Sequence, residues 1–430
     1  MPPTLPAFRT LAAKRDGRQL TGDEIASVVA GSVDGSWTDA QLGAFLMAAF
    51  LKGMDLDETF ALTDAMLRSG EQWFLSREVP GLGDKHSTGG VGDKLSIPLA
   101  PLLASCGRPI VMLTGRGLAH TGGTADKLDA IPGLDQALSR PRALGLLQSC
   151  NMAIGLATAD IAPADRKLYA LRDATSTVES LPLIVASILS KKLATGAAAV
   201  VFDVKTGPGA FMAEREAARE LARLLVATSR RLGTQAQALI TDMSQPLGRW
   251  VGHAAEVMES LDVLVGGGPP DVRELTLTLA REVAAAAGQP ISERELEAAL
   301  DSGQAHEHFL RWASAQGADS GWERELVSTL APVEEVILAE RAGYLARVDT
   351  RELGLLLIEA GGGRLRPGDK IDLGVSLEVR CRLGEAIEAG QDLARLRLRA
   401  PDAALAARFR ACFHLVEQPT AAPPLVYERL

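Results

Sequence analysis

No excess of positive charge, no clustered cysteines and no long apolar run occur in this chain of 430 residues, and each absence closes off a class of function. Lys and Arg number 45 against 54 Asp and Glu, a formal net charge of -9. Coating nucleic acid or anionic membrane needs a positive surface field, so any anion site here must be local. Cys106, Cys150, Cys381 and Cys412 stand far apart with neither CxxC nor Cys/His ligand spacing. That argues against a zinc site or a disulfide framework, and suggests free core thiols in a reducing, cytoplasmic setting. The apolar stretch at residues 181–189 is far short of the ~20 residues a membrane span needs, and residues 1–15 lack the basic and apolar segments of a secretory leader. Two nucleotide signatures are also missing. Asp93 separates Gly92 from Lys94, which breaks a P-loop, and residues 115–120 lack the third glycine of a dinucleotide fingerprint.

What is present is a repeated pattern. His86-Ser87-Thr88-Gly89-Gly90-Val91-Gly92-Asp93-Lys94-Leu95 is followed by His120-Thr121-Gly122-Gly123-Thr124-Ala125-Asp126-Lys127-Leu128. Paired glycines leave backbone N–H groups uncovered, while the hydroxyls and ammoniums add donors able to converge on one anion. Lys85, Ser87, Ser96, Thr114 and Thr124 form the candidate phosphate set, with Ser96 in the first turn of an expected helix whose amino end also favours an anion. Taken singly, each hydroxyl is more simply read as a cap of a helix or turn; the doubled loop with a lysine is what points the group to phosphate. Farther on, Tyr169 and Arg172 are three residues apart, and Ser187 and Lys191 four apart, so each pair shares one helix face. Ser187 interrupts an apolar run, which suits a cavity-facing role; Arg172 could instead pair with Asp165 or Asp173, and Lys191 could be a solvated helix end.

Capping-box spacing at Thr21/Glu24 and Thr38/Gln41 predicts short helices up to about residue 70. Beyond them the pattern predicts glycine-rich loops from residue 81 to 130, broken by one helix at 93–105 and one strand at 109–113. Helices follow at 140–150, 163–172, 182–195 and 221–232, with strands at 152–156, 200–204 and 236–241. Alternation at 344–348 and 393–398, with recurrent glycines, predicts a β-rich end.

The segments 84–93, 115–124, 162–165 and 169–173, with Ser187-Ile188-Leu189-Ser190-Lys191-Lys192-Leu193 and Asp203-Val204-Lys205-Thr206-Gly207-Pro208-Gly209, resemble the signature of the thymidine phosphorylase and pyrimidine-nucleoside phosphorylase family along essentially the whole chain. The resemblance implies an α/β fold, with a small all-helical domain plus a large α/β domain with a mixed central sheet and a β-rich C-terminal portion. The implied division is residues 1–68 and 158–195 for the helical domain, 69–157 and 196–344 for the α/β domain, and 345–430 for the β-rich domain. It implies a homodimer through the helical domain and reversible phosphorolysis of thymidine or deoxyuridine. Phosphate would lie at Lys85, Ser87, Ser96, Thr114 and Thr124, and the pyrimidine at His86, Tyr169, Arg172, Ser187 and Lys191. His86, Arg172 and Lys191 would be catalytic, and inorganic phosphate a co-substrate with no cofactor and no required metal. Met112 stands where broader-specificity relatives carry a lysine near the sugar, which implies preference for a deoxyribose. The alternatives are a broad-specificity enzyme that also uses uridine and, more remotely, an enzyme like anthranilate phosphoribosyltransferase. Thr114, Ala119, Leu156 and Pro208 depart from the usual pattern, and an alkali cation held by backbone carbonyls near the first loop stays open.

Overall fold

The computed structural model describes residues 7–117, 120–364, 366 and 368–430. Its first helices are α1 (Ala7–Arg15), α2 (Gly22–Asp34), α3 (Asp39–Lys52) and α4 (Leu56–Arg68). Both expected capping boxes form, each satisfying two otherwise unpaired backbone donors, and a third, Asp55 with Glu58, opens α4. Glu58 also takes the buried Lys14 ammonium at 2.7 Å, which ties α1 to α4.

The α/β part runs through β1 (Gly83–Ser87), α5 (Ser96–Ser105), β2 (Ile110–Thr114), α6 (Thr124–Leu128), β3 (Ala137–Leu138), α7 (Arg140–Cys150) and β4 (Met152–Ala157). After α8 (Pro163–Ala174) and α9 (Leu181–Lys192) come β5 (Ala199–Thr206), α10 (Arg215–Arg231) and β6 (Gln235–Asp242). Helix α10 buries Ala218, Leu221, Ala222, Leu225 and Ser229 at helical intervals against β5 and β6. Among the described residues the central sheet has seven strands, β6-β5-β1-β2-β4-β3 in parallel with Val426–Arg429 antiparallel on the β6 edge.

Strand β1 corrects the sequence reading, which places its residues in a loop. Gly-Asp-Lys-His-Ser has no apolar alternation, yet it pairs with β5 over its whole length, because its buried charges are compensated by residues distant in sequence. The chain moves outward from β1 to β2 and β4, then crosses to the other side of β1 for β5 and β6. Strand order thus reverses at β1, and the loops beyond the carboxyl ends of β1, β2 and β5 meet at the place where open α/β sheets bind ligands.

Helices α8 and α9 return to the amino-terminal helices. Ala164, Leu168, Leu183 and Ala186 join Ile25, Phe45, Leu46 and Leu62 in one core, while Val185 and Leu189 on α9 belong to the main α/β core. The three connections between the two parts are bonded to each other, Glu71 N to Asp160 O at 2.8 Å and Trp73 N to Ala194 O at 2.7 Å. Gly70 is required there, because a Cβ would stand 2.2 Å from Asp160 O. A third core joins residues 331–413 with Val91 and Val251. Its strands form two sheets among the described residues, and one of them includes Val333–Leu338, ahead of the boundary expected at 345, paired with Asp392–Leu398. Val426–Arg429 leaves this region for the central sheet.

Candidate active site

The repeated pattern forms two loops bolted to one helix, α11 (His253–Leu264). In the first, Asp93 accepts a hydrogen bond from Ser87 Oγ, and the Lys94 ammonium turns away to Leu247 O at 2.7 Å, Trp250 O at 3.0 Å and Glu259 Oε2 at 2.7 Å. In the second, Asp126 accepts from Gly117 N at 2.6 Å, and Lys127 reaches Glu256 at 2.9 Å and Asp93 O at 2.6 Å. Each aspartate folds its own glycine loop, and the two lysines anchor the loops about one turn apart on α11. The expectation that these ammoniums converge on an anion is therefore corrected for Lys94 and Lys127. Both are fully buried and committed to carboxylates, and removing one partner of such a pair costs ~3–5 kcal/mol.

The candidate phosphate donors are drawn from different elements. Lys85, on β1, is buried with its ammonium 3.5 Å from Ser96 Oγ and 3.7 Å from Asp203 Oδ2. Ser96 is the first residue of α5 and Thr124 the first of α6. Thr114 ends β2, its hydroxyl donating to Gly155 O at 3.2 Å. Ser87 gives its proton to Asp93 and accepts from Gly89 N at 3.1 Å, so its donor is already engaged. Burial opposes charge on Asp93, but Lys85, Lys205 and Lys127 outweigh it and hold the carboxyl far below its ordinary value.

The candidate base donors lie mainly on α8 and α9. Lys191 bonds Asp165, and its ammonium is 3.2 Å from Ser187 Oγ. Sequence spacing offers Asp165, on the first turn of α8, only as a partner for Arg172. Its partner in the fold is instead Lys191, 26 residues away on another helix, which no local spacing reveals. Arg172 is buried, donating to Leu183 O at 3.0 Å, Val178 O at 2.5 Å and Thr177 O at 3.5 Å, with its guanidinium 5.6 Å from the Tyr169 ring centre. The expected alternative, a surface ion pair, is thus not what the structure shows. Met112 is packed in the main core at 1 % exposure and is not brought to this group.

One contact joins the two sets. Lys192, next to Lys191, places its ammonium 2.9 Å from Asp84 Oδ1 and 3.0 Å from Lys85 O, so α9 is fastened to the strand that carries Lys85 and His86. His86 lies edge-on to Phe202, 6.3 Å between ring centres. Burial, with the Lys192, Lys85 and Lys191 charges, holds its pKa well below the ordinary value. His120 turns elsewhere, its Nε2 3.0 Å from Gly209 O. Among the departures, Leu156 is a β4 residue whose N–H donates to Gln136 O at 2.7 Å, and Pro208 sits in a turn closed by Ala210 N to Gly207 O at 3.0 Å. Ala119 lies outside the described residues.

His86, His120, His253 and His308 all have pKa values lowered chiefly by burial. A histidine that stays neutral when folded but protonates near pH 6.5 when unfolded contributes stability at neutral pH, and that contribution is lost as pH falls below about 6.5. Asp84, pushed up to about 6 by burial against the opposing Lys192 charge, acts in the opposite sense, and its gain on acidification comes mainly below that pH. The thermal midpoint is expected to fall between about pH 7.5 and 6, with a shallower slope in His253→Gln. A midpoint that is flat or rising over this interval contradicts the assignment.

Residues 80–306 match the glycosyl transferase family a/b domain, residues 9–70 the glycosyl transferase family helical bundle domain, and residues 344–415 the pyrimidine nucleoside phosphorylase C-terminal domain. Thymidine phosphorylase of Mycobacterium tuberculosis is 43% identical over 425 residues, 98% of this chain and 97% of that protein. Thymidine phosphorylase of Homo sapiens is 44% identical over 404 residues, covering 90% and 84% of the two chains. Pyrimidine-nucleoside phosphorylase of Geobacillus stearothermophilus is 40% identical over 427 residues, 97% and 98%. Among solved structures, anthranilate phosphoribosyltransferase from Thermus thermophilus superimposes with a TM-score of 0.59 at 19% identity over 71% of this chain and 99% of that one, a likeness of fold alone.

Proposed function

The chain belongs to the thymidine phosphorylase and pyrimidine-nucleoside phosphorylase family, and on that premise we propose that it catalyses the reversible phosphorolysis of thymidine and deoxyuridine to free base and 2-deoxy-α-D-ribose 1-phosphate. The observation that carries this reading is the fastening of α9 to β1 through Lys192, which sets the Lys191 and Ser187 end of one donor group beside the Lys85 and His86 strand of the other. A phosphate oxygen attacks the anomeric carbon as the glycosidic bond breaks, and the bonding pair leaves with the pyrimidine. Catalysis then needs an anion held on one side and cations on the other. Lys85, Ser96, Thr114 and Thr124 hold phosphate, and Ser87, whose proton goes to Asp93, shapes the loop beside them by accepting from Gly89 N; Arg172 and Lys191 stabilise the departing base, with Tyr169 and Ser187 orienting it. His86, kept neutral at physiological pH, supplies a hydrogen bond to a ring carbonyl rather than a full proton. Phosphate is the co-substrate, and no cofactor or metal is required.

The names of the relatives support a deoxyribose preference, which a buried Met112 does not itself explain. The test is release of free base from thymidine, deoxyuridine, uridine and cytidine with phosphate. Thymidine and deoxyuridine are expected to be cleaved, and uridine to react about tenfold or more slowly. Equal rates for uridine would favour the broad-specificity reading, and an absolute need for magnesium would favour a phosphoribosyltransferase.

The same reading places the enzyme in the cytoplasm as a homodimer. No helix among the described residues is long and apolar enough to cross a membrane, and the four cysteines are free. Ala44, Met47 and Leu51 form an exposed stripe at helical spacing on α3, with Phe50 beside it and Phe8 on the neighbouring α1. A second copy would cover that face. Light scattering should give about twice the 45.4 kDa chain mass, and a monomer that retains full activity would exclude the dimer from the mechanism.

A further inference from the structure

Behind Lys85 lies a second lysine that the mechanism above leaves unused. Lys205 is on β5 with its side chain at 0 % exposure, and its ammonium is 2.7 Å from Asp203 Oδ2. Asp203 is equally buried and stands between two cations. Its Oδ1 accepts from Thr241 Oγ1 at 2.5 Å, while Oδ2 faces Lys205 and, at 3.7 Å, Lys85. Strand pairing makes this a fixed arrangement. Lys85 and Ser87 alternate along β1, Asp203 and Lys205 alternate along β5, and Ser87 is the register partner of Asp203. Both side chains of the Lys205–Asp203 pair are fully removed from solvent, so each charge depends on the other for compensation. Thr241 can satisfy a lone pair of Asp203 but not its charge. Without Lys205, the cation left within ion-pair reach of Asp203 among the described residues would be Lys85.

We propose that Lys205 is a positioning residue for the phosphate site: it neutralises Asp203, so that the Lys85 ammonium stays available to phosphate instead of collapsing onto that carboxylate. The inference rests on the reading of Lys85 as the phosphate cation. An incoming phosphate must draw Lys85 away from Asp203. A Lys205-compensated carboxylate competes weakly for it, and an uncompensated buried one competes strongly. Lys205 need not touch phosphate to control how tightly phosphate is held.

The test is a charge-balanced rescue. Lys205→Met should raise the phosphate KM about tenfold or more while the thymidine KM shifts by less than about threefold. Adding Asp203→Asn in the same chain should return the phosphate KM to within about threefold of the parent, since the carboxylate that Lys205 alone compensates is then gone, while Asp93 keeps its Ser87 hydrogen bond and the Lys127 charge. A merely structural lysine would not be rescued in this way. Asp203→Asn alone should not raise the phosphate KM, and this variant decides the matter if Lys205→Met fails to fold. A phosphate KM unchanged in Lys205→Met, a double variant as impaired as the single one, or a rise of about tenfold in Asp203→Asn alone would each overturn the proposal. Titrating the thermal midpoint with inorganic phosphate gives the same comparison without turnover. Failure of the nucleoside panel would therefore be distinguishable from failure here.

Discussion

Lys85→Ala is expected to lower kcat/KM for phosphate by about 10³, with a raised phosphate KM and a lower turnover. Of the candidate phosphate donors, Lys85 alone carries a full charge; the others are hydroxyls at helix starts and strand ends. Its buried side chain is held between Ser96 at 3.5 Å and Asp203 at 3.7 Å, so water cannot substitute for the lost ammonium. Losing one preorganised donor to a developing or bound anion costs ~2.7–4 kcal/mol. The variant also leaves Asp93 and Asp203 near the site with one cation fewer, which repels phosphate further. Thymidine binding measured calorimetrically in phosphate-free buffer should change much less. If the dependence of rate on phosphate were unaltered, Lys85 would not be the phosphate cation.

Arg172→Ala should depress turnover by about 10²–10³ and shift the thymidine KM by less than about threefold, because the pyrimidine carries its negative charge chiefly while leaving. A fall in thermal midpoint is expected as well. The guanidinium donates to the carbonyls of Thr177, Val178 and Leu183, so its removal loosens the segment that leads into α9 from the first turn of that helix. Turnover must therefore be measured on folded enzyme, well below the midpoint. Ser187→Ala is the matching control, since it removes a hydroxyl 3.2 Å from Lys191 but no charge, and it should cost less than Arg172→Ala. Kinetics in which Arg172→Ala raised only KM would reduce Arg172 to a uniform binding contact that also braces the loop.

Where local signals are strong, the expected and observed elements agree. Arg140–Cys150 is a helix with the expected bounds, and the expected strand at 200–204 lies within the fully buried Ala199–Thr206. The helix expected from residue 93 begins at Ser96, because Asp93 and Lys94 are drawn into the loop and toward α11 instead. The largest departure from local expectation is β1. Strands are recognised by β-branched or alternating apolar residues, and Gly83–Ser87 offers none. The pairing of Asp84 with Lys192, 108 positions later in the chain, is what makes a charged central strand tolerable.

The sequence alone determined the donor chemistry, the family, the capped helices and the alternation of helix and strand, because motif identity, capping and periodicity are local properties of consecutive residues. Tertiary structure alone decided where the charges are committed. Lys94 and Lys127 share a repeated pattern that looks made for an anion, yet each is neutralised by a glutamate on α11, far along the chain. Lys85 has no hydrogen-bonded carboxylate of its own among the described residues and stands beside Asp203, which Lys205 already compensates. A buried charge is stable only with a partner, and nothing within a few residues of a lysine specifies which distant carboxylate the folded chain will bring to it.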